Sequence, residues 1–101
     1  MYPMTAGAMH APDEIVGDPD FVSFREIDES LGLAKGHAFR AFKQLVGAWT
    51  EGVEFVCCDQ REHPAAHALL AQRGRLYPGT VNAVLLAPSA RAAIIALLTH
   101  P

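Results

Sequence analysis

The sequence predicts a small α+β domain: a pair of short helices, short strands that brace it, and an apolar C-terminal helix. Three observations carry that expectation. Residues 24 to 46 hold two apolar stripes at helical spacing that meet at Leu31-Gly32-Leu33. Val53 to Cys58 and Thr80 to Leu86 are short runs of strand character. Proline and glycine stand where helices should begin and end.

In the first helix Phe24, Ile27 and Leu31 recur at three and four residues and make one face, with Asp28 and Glu29 expected off it. Phe21-Val22-Ser23-Phe24 alternates like a short strand, and Ser23 with Glu26 spells a capping box. In the second helix Ala38, Ala41, Phe42 and Leu45 form a stripe that Phe39 and Val46 widen. Gly32 accepts a left-handed backbone, so the chain can leave one helix and enter the next within a few residues. This is the sequence form of a helix-turn-helix.

The remaining elements follow in order. Gly47 reads as a helix stop. In the strand from Val53 to Cys58, Val53, Phe55 and Cys57 share one face and Glu54, Val56 and Cys58 the other, with Cys57 expected inward. Asp59 to Glu62 is a polar break. A third helix runs from Pro64 to Arg73 and stops at Gly74. Arg75-Leu76-Tyr77 is extended and Pro78-Gly79 marks a turn. The strand from Thr80 to Leu86 has two possible partners, Leu76-Tyr77 or residues 53 to 58. Ser89 is expected to cap a last helix with Ala90 to Leu98 as its body. Residues 1 to 20, rich in proline and acid, read as a flexible acidic arm, and residues 21 to 101 as the single domain.

The segment resembles the helix-turn-helix of bacterial DNA-binding regulators, with Ile27, Leu31, Gly32, Leu33 and Arg40 matching by position. Beyond it, Gly52-Val53-Glu54-Phe55 is similar to the Gly-x-x-Phe strand of phage antirepressor-type domains. The likeness covers about a quarter to a third of the chain and departs at two places. Asp28 stands where a small Ala is usual, and Gly36 where Ser or Thr is usual. The resemblance implies a winged helix-turn-helix and a sequence-specific DNA-binding function in transcriptional or phage-type regulation. Lys35, His37, Arg40, Lys43 and Gln44 would then meet the duplex, because the second helix of such a pair offers its N-terminal half to base edges and its cations to phosphates.

Charge bears on the same reading. The net charge is -3, but residues 1 to 29 hold seven acids against Arg25 alone, and residues 30 to 101 hold seven bases against four acids. An acidic arm before a mildly basic body is compatible with a DNA partner. The rival expectation is a protein-interaction module that binds through the apolar C-terminal helix. That helix also suggests a homodimer through Arg91, Ala92, Ile95 and Ala96, with Ile94, Leu97 and Leu98 turned to the core and Ile95 outward.

Other functions find little support. Cys58, His63 and His67 give Cys-x4-His-x3-His, three potential zinc ligands with no evident fourth unless His10 or His100 supplies it. The histidines read as surface residues, the cysteines as small hydrophobes, and no metal or cofactor is expected. No nucleophile motif or glycine-rich phosphate loop appears, so an enzyme is not expected. No apolar run is long enough to span a membrane and no secretory signal is visible, which makes the cytoplasm the expected location.

Overall fold

The computed structural model describes residues 9–100. Within them the order is α1 (Pro12–Ile15), β1 (Val22–Ser23), α2 (Phe24–Ser30), α3 (His37–Leu45), a 3-10 turn (Val46–Ala48), β2 (Phe55–Cys57), α4 (Pro64–Gln72), β3 (Val84–Leu86) and α5 (Pro88–Thr99). The three strands form one antiparallel sheet in the order β1-β3-β2. The α+β class is therefore as expected. Of the two partners open to the later strand, it takes residues 55–57 and adds β1 on its other edge. Its regular pairing is shorter than Thr80 to Leu86, although Cys58 N–H donates to Ala83 O at 2.7 Å and Gln60 N–H to Val81 O at 2.9 Å.

Helices cover both faces of this sheet. Register places Phe55 opposite Leu86 and Val56 opposite Leu85, and the period-two pleat sends each pair to one side. Phe55 and Leu86 join Ile27, Ala38, Ala41, Phe42, Ala90 and Ile94 from α2, α3 and α5. Val56 and Leu85 join Ile15, Phe21, Ala66 and Leu70 on the side of α1 and α4. Two apolar layers on one small sheet explain why neighbouring residues of β3, Leu85 and Leu86, are both wholly buried. They also extend the reading of β2. Cys57 packs, half-buried, against the core of Phe55 as expected, while Cys58 is wholly buried because the face carrying Val56 and Cys58 has its own core to fill.

The second half of the supposed arm is part of the domain. Pro12 opens α1, Asp13 and Glu14 occupy its first turn, and Ile15 and Phe21 are buried in the α4-side core. His10 N–H donates to Gly52 O at 2.6 Å, tying the segment to the loop before β2. Residues 1–8 of the arm lie outside the described residues.

Two boundaries differ from expectation for local reasons. The chain continues past Leu45 as a 3-10 turn through Gly47 rather than stopping there. The cap of α5 is Ala87, not Ser89, because Pro88 takes the first helical position, where its missing N–H costs nothing. On α5 itself, Ile95 does not point away from the domain: like Leu97 and Leu98, it is half-buried against the same core as Ile94.

Candidate nucleic-acid interface

The helical pair α2–α3 is assembled by one buried side chain. α2 begins as expected: Ser23 Oγ accepts from Glu26 N–H at 3.2 Å, and Ser23 N–H donates to Glu26 Oε1 at 2.8 Å. The turn passes through Gly32 at φ 67°. α3 then starts at Gly36, which sits at φ 105° and has no side chain with which to cap a helix. Asp28 caps it from α2. Its Oδ1 accepts from Ala38 N–H at 2.8 Å and its Oδ2 from Gly36 N–H at 3.2 Å, while its own carbonyl accepts from Leu33 N–H at 2.8 Å. Asp28 was expected off the apolar face, yet its exposure is 0%. A polar side chain can be buried that deeply because hydrogen bonds replace its lost water.

The two departures from the helix-turn-helix pattern thus compensate for each other. A Ser or Thr at position 36 would cap α3 locally; Gly36 cannot, and the carboxylate at position 28 supplies the acceptor instead. Gly36 serves a second purpose, since a Cβ there would stand 3.0 Å from Arg40 Nη1. The guanidinium of Arg40 therefore folds back over the start of α3.

The loop after α4 locks this arrangement. Tyr77 Oη donates to Asp28 Oδ2 at 2.6 Å. Burial pushes the Tyr77 phenol up to about 12, and its bond to the Asp28 carboxylate adds to the rise. Arg25 and Lys35 lie 5.6 and 5.3 Å from the centre of the Tyr77 ring. Arg75 fastens the other end of α2. It donates to Glu26 Oε2 at 3.0 Å and Oε1 at 2.9 Å, to Val16 O at 2.9 Å and to Phe21 O at 2.6 Å. Burial pushes the Glu26 carboxyl up, but the bonds and charge of Arg75, with the Ser23 N–H, outweigh it and hold the group below its ordinary value. Arg75 is thus engaged within the fold. Arg25 likewise pairs with Glu29 at 2.9 Å and donates to Leu76 O at 2.8 Å.

The remaining cations of the pair face outward. Lys35, Arg40, Lys43 and Gln44 are exposed and His37 is half-buried. At 3.6 residues per turn, Gly36, Arg40 and Lys43 form the middle of the outer face of α3. Phe39 flanks them on the side of the Tyr77–Asn82 loop. His37 and Gln44 flank them on the side of α5, where they border a shallow groove with Leu97 and Leu98. His37 Nδ1 lies 2.9 Å from Ala34 O. A carbonyl only accepts, so in the neutral ring Nδ1 carries the proton and Nε2 is an acceptor. The five expected residues therefore share one helix and its approach, and present ammonium, guanidinium, amide and imidazole groups side by side. Such a surface suits a polyanion with hydrogen-bonding edges.

The residues expected on α5 are less uniform. Ala92 and Ala96 are exposed and Arg91 and Ile95 half-buried. With Ser89 and Thr99, the two alanines make a strip of small side chains. Among the described residues, the exposed large hydrophobics are Met9, Phe39 and Val81.

The histidines and cysteines are dispersed. His67 is buried with Nε2 at 2.8 Å from Thr80 O, and His63 stands at the start of α4. Burial pushes both thiols up to about 11, Glu51 adding to the effect at Cys57, so both are protonated at neutral pH. Among the described residues, no group of three or more His, Cys, Asp or Glu is placed to hold a metal ion. No helix there is long and apolar enough to cross a membrane.

Comparison with known proteins finds no family model, curated protein or solved structure that matches this chain.

Sequence reasoning missed Asp28, Tyr77 and Arg75 as organisers of the site. For Asp28 a signal was present: a helix start without a capping side chain, eight residues after an acid in a position usually held by Ala. Tyr77 and Arg75 had no such signal, because their partners lie about fifty residues away in sequence.

Proposed function

We propose that the protein binds double-stranded DNA sequence-specifically, as a transcriptional or phage-type regulator, with α2–α3 acting as a helix-turn-helix and α3 as its recognition helix. One observation carries the proposal. In a chain of net charge -3, Lys35, Arg40 and Lys43 are exposed together along one helix and its approach, while the acids Glu26 and Glu29 of α2 are engaged by Arg75 and Arg25. A helix offering cations at its centre and hydrogen-bonding side chains at its flank has what the major groove demands. Tyr77, Thr80, Val81 and Asn82 line one cavity with Gly36 and Phe39 at the start of α3, and in this reading their loop serves as the wing.

Pairing of two copies across the Ala92–Ala96 strip of α5 belongs to the same proposal, since a two-fold pair presents two recognition helices to neighbouring half-sites. The rival role, in which α5 captures a protein partner, keeps the support of the chain's net charge of -3, but the apolar face it would use is narrow. The large side chains of α5 are at least partly covered, and its exposed strip is made of small ones.

The test is fluorescence anisotropy of labelled duplexes across a salt series. Contact with three or more phosphates makes log K fall linearly with log salt at about 0.9 per phosphate. Affinity that ignores salt, or no binding to any duplex at low salt, overturns the proposal.

A further inference from the structure

Phe39 and Val81 stand out on the surface. Phe39 is 45% exposed and Val81 52%. They do not lie at scattered points. Both line a cavity of about 260 Å³ with Phe24, Tyr77, Lys35 and Asn82, between the first turn of α3 and the Tyr77–Asn82 loop. Its walls are largely aromatic and aliphatic, and ammonium groups stand at its margins. Lys35 is part of the rim, and Lys43 Nζ lies 5.2 Å from the centre of the Phe39 ring. Phe24 meets the Phe39 ring edge-on at 5.5 Å, so the ring is braced rather than loose.

An apolar patch framed by cations suits a partner that is apolar at one point and anionic around it. A purely apolar protein surface would have to strip water from Lys35 and Lys43 without compensation. The floor of the DNA major groove meets both conditions. The thymine 5-methyl is its one apolar group, phosphates flank it, and Phe is among the side chains that contact it. Phe39 is the third residue of α3, within the half of a recognition helix that reaches base edges. Asn82, on the same cavity, is of the residue type that pairs with the adenine edge of the same base pair.

We infer that Phe39 and Val81 receive thymine methyl groups in the major groove, and that this contact gives the protein a preference for A·T pairs opposite the start of α3. The inference rests on the DNA-binding reading above and specifies what the site selects.

Binding selection from a pool of random-sequence duplexes supplies the probe. The best-bound duplex is then remade with uracil in place of thymine, one position at a time, which removes the methyl and nothing else. Burial of one methyl corresponds to about a fourfold change in affinity, so uracil at a contacted position should weaken binding by about that factor. Phe39→Ala, and separately Val81→Ala, should bind the thymine and uracil duplexes alike. Circular dichroism confirms that each variant is folded, and the two lie on different elements, so the loss of one fold leaves the other to report. Equal affinity of the parent for thymine and uracil duplexes overturns the inference while leaving DNA binding intact. So does a selected site without A·T pairs, or a preference for single strands, which would make Phe39 a stacking platform. Failure to retain any nucleic acid overturns the DNA-binding reading and this inference together.

Discussion

α3 and α5 pack against each other and against the same side of the sheet, yet they divide polar and apolar groups in opposite ways. By sequence α3 is the amphipathic helix and α5 the apolar one. By exposed surface the order reverses. α3 leaves a phenylalanine in solvent among its cations, whereas the outermost residues of α5 are Ser89, Ala92, Ala96 and Thr99. Side-chain size decides the difference. In α5 the isoleucines and leucines find at least partial cover from α3 and the sheet, and alanine is left outside at little cost. In α3 Ala38 and Ala41 turn inward so that the helix can approach its neighbours closely, and Phe42, with Leu45 half-buried beside it, fills the gap. A helix that is hydrophobic on average therefore need not present a hydrophobic surface, and an amphipathic one can keep an apolar side chain outside.

The comparison can be broken most forcefully at Phe42. Its ring contacts Phe24 at 5.1 Å, Phe55 at 5.3 Å and Trp49 at 6.1 Å between centroids. Phe42→Ala should destabilise the domain by about 3–5 kcal/mol, whereas Phe39→Ala on the same helix should shift the denaturation midpoint far less. Equal losses in chemical denaturation would mean that the inner and outer faces of α3 have been misassigned.

Asp28→Ala should rank second, at about 2–4 kcal/mol. It removes the cap of α3 and strips the acceptor from two backbone N–H groups and the Tyr77 hydroxyl. Amide hydrogen exchange should quicken first at Gly36 and Ala38. Protection unchanged at those two positions would show that α3 does not depend on α2 for its start.

Arg40→Ala should leave stability nearly intact and weaken duplex binding by about 1–3 kcal/mol, with specificity relaxed at one base pair. A folded variant with parental affinity would take Arg40 out of the interface.

The smallest effect on stability, within about 0.5 kcal/mol, is expected for Ala96→Glu on the outer strip of α5. If two copies pair there, the buried charge should yield monomers in sedimentation experiments. A parent that is already monomeric at about ten micromolar, or an Ala96→Glu variant that stays paired, would remove α5 from any assembly.

Much of the order of elements was legible because its causes are local. The capping box of Ser23 and Glu26, the left-handed turn at Gly32, the proline start of α4 and the stripe of α3 each depend on residues close to one another in sequence. The five expected contact residues, Lys35, His37, Arg40, Lys43 and Gln44, came from the resemblance to helix-turn-helix regulators, and helical spacing groups only Arg40 and Lys43 on one face with Gly36.

What only tertiary structure decided are the matters in which one side chain serves two elements. Helical spacing put Asp28 off the apolar face, and the one local hint of its burial was the uncapped helix start at Gly36. The missing cap at Gly36 and the hydroxyl of Tyr77, forty-nine residues away, make its burial favourable. The sheet order, the second core that buries Cys58, and the apolar cavity at Phe39 and Val81 arise in the same way. Each depends on segments that meet only after the chain has closed, and hydrophobic periodicity reports which face of an element is buried but not what that face will touch. The same holds for the first segment, whose proline and acid suggested an arm until Ile15 found an apolar layer to enter beside Phe21.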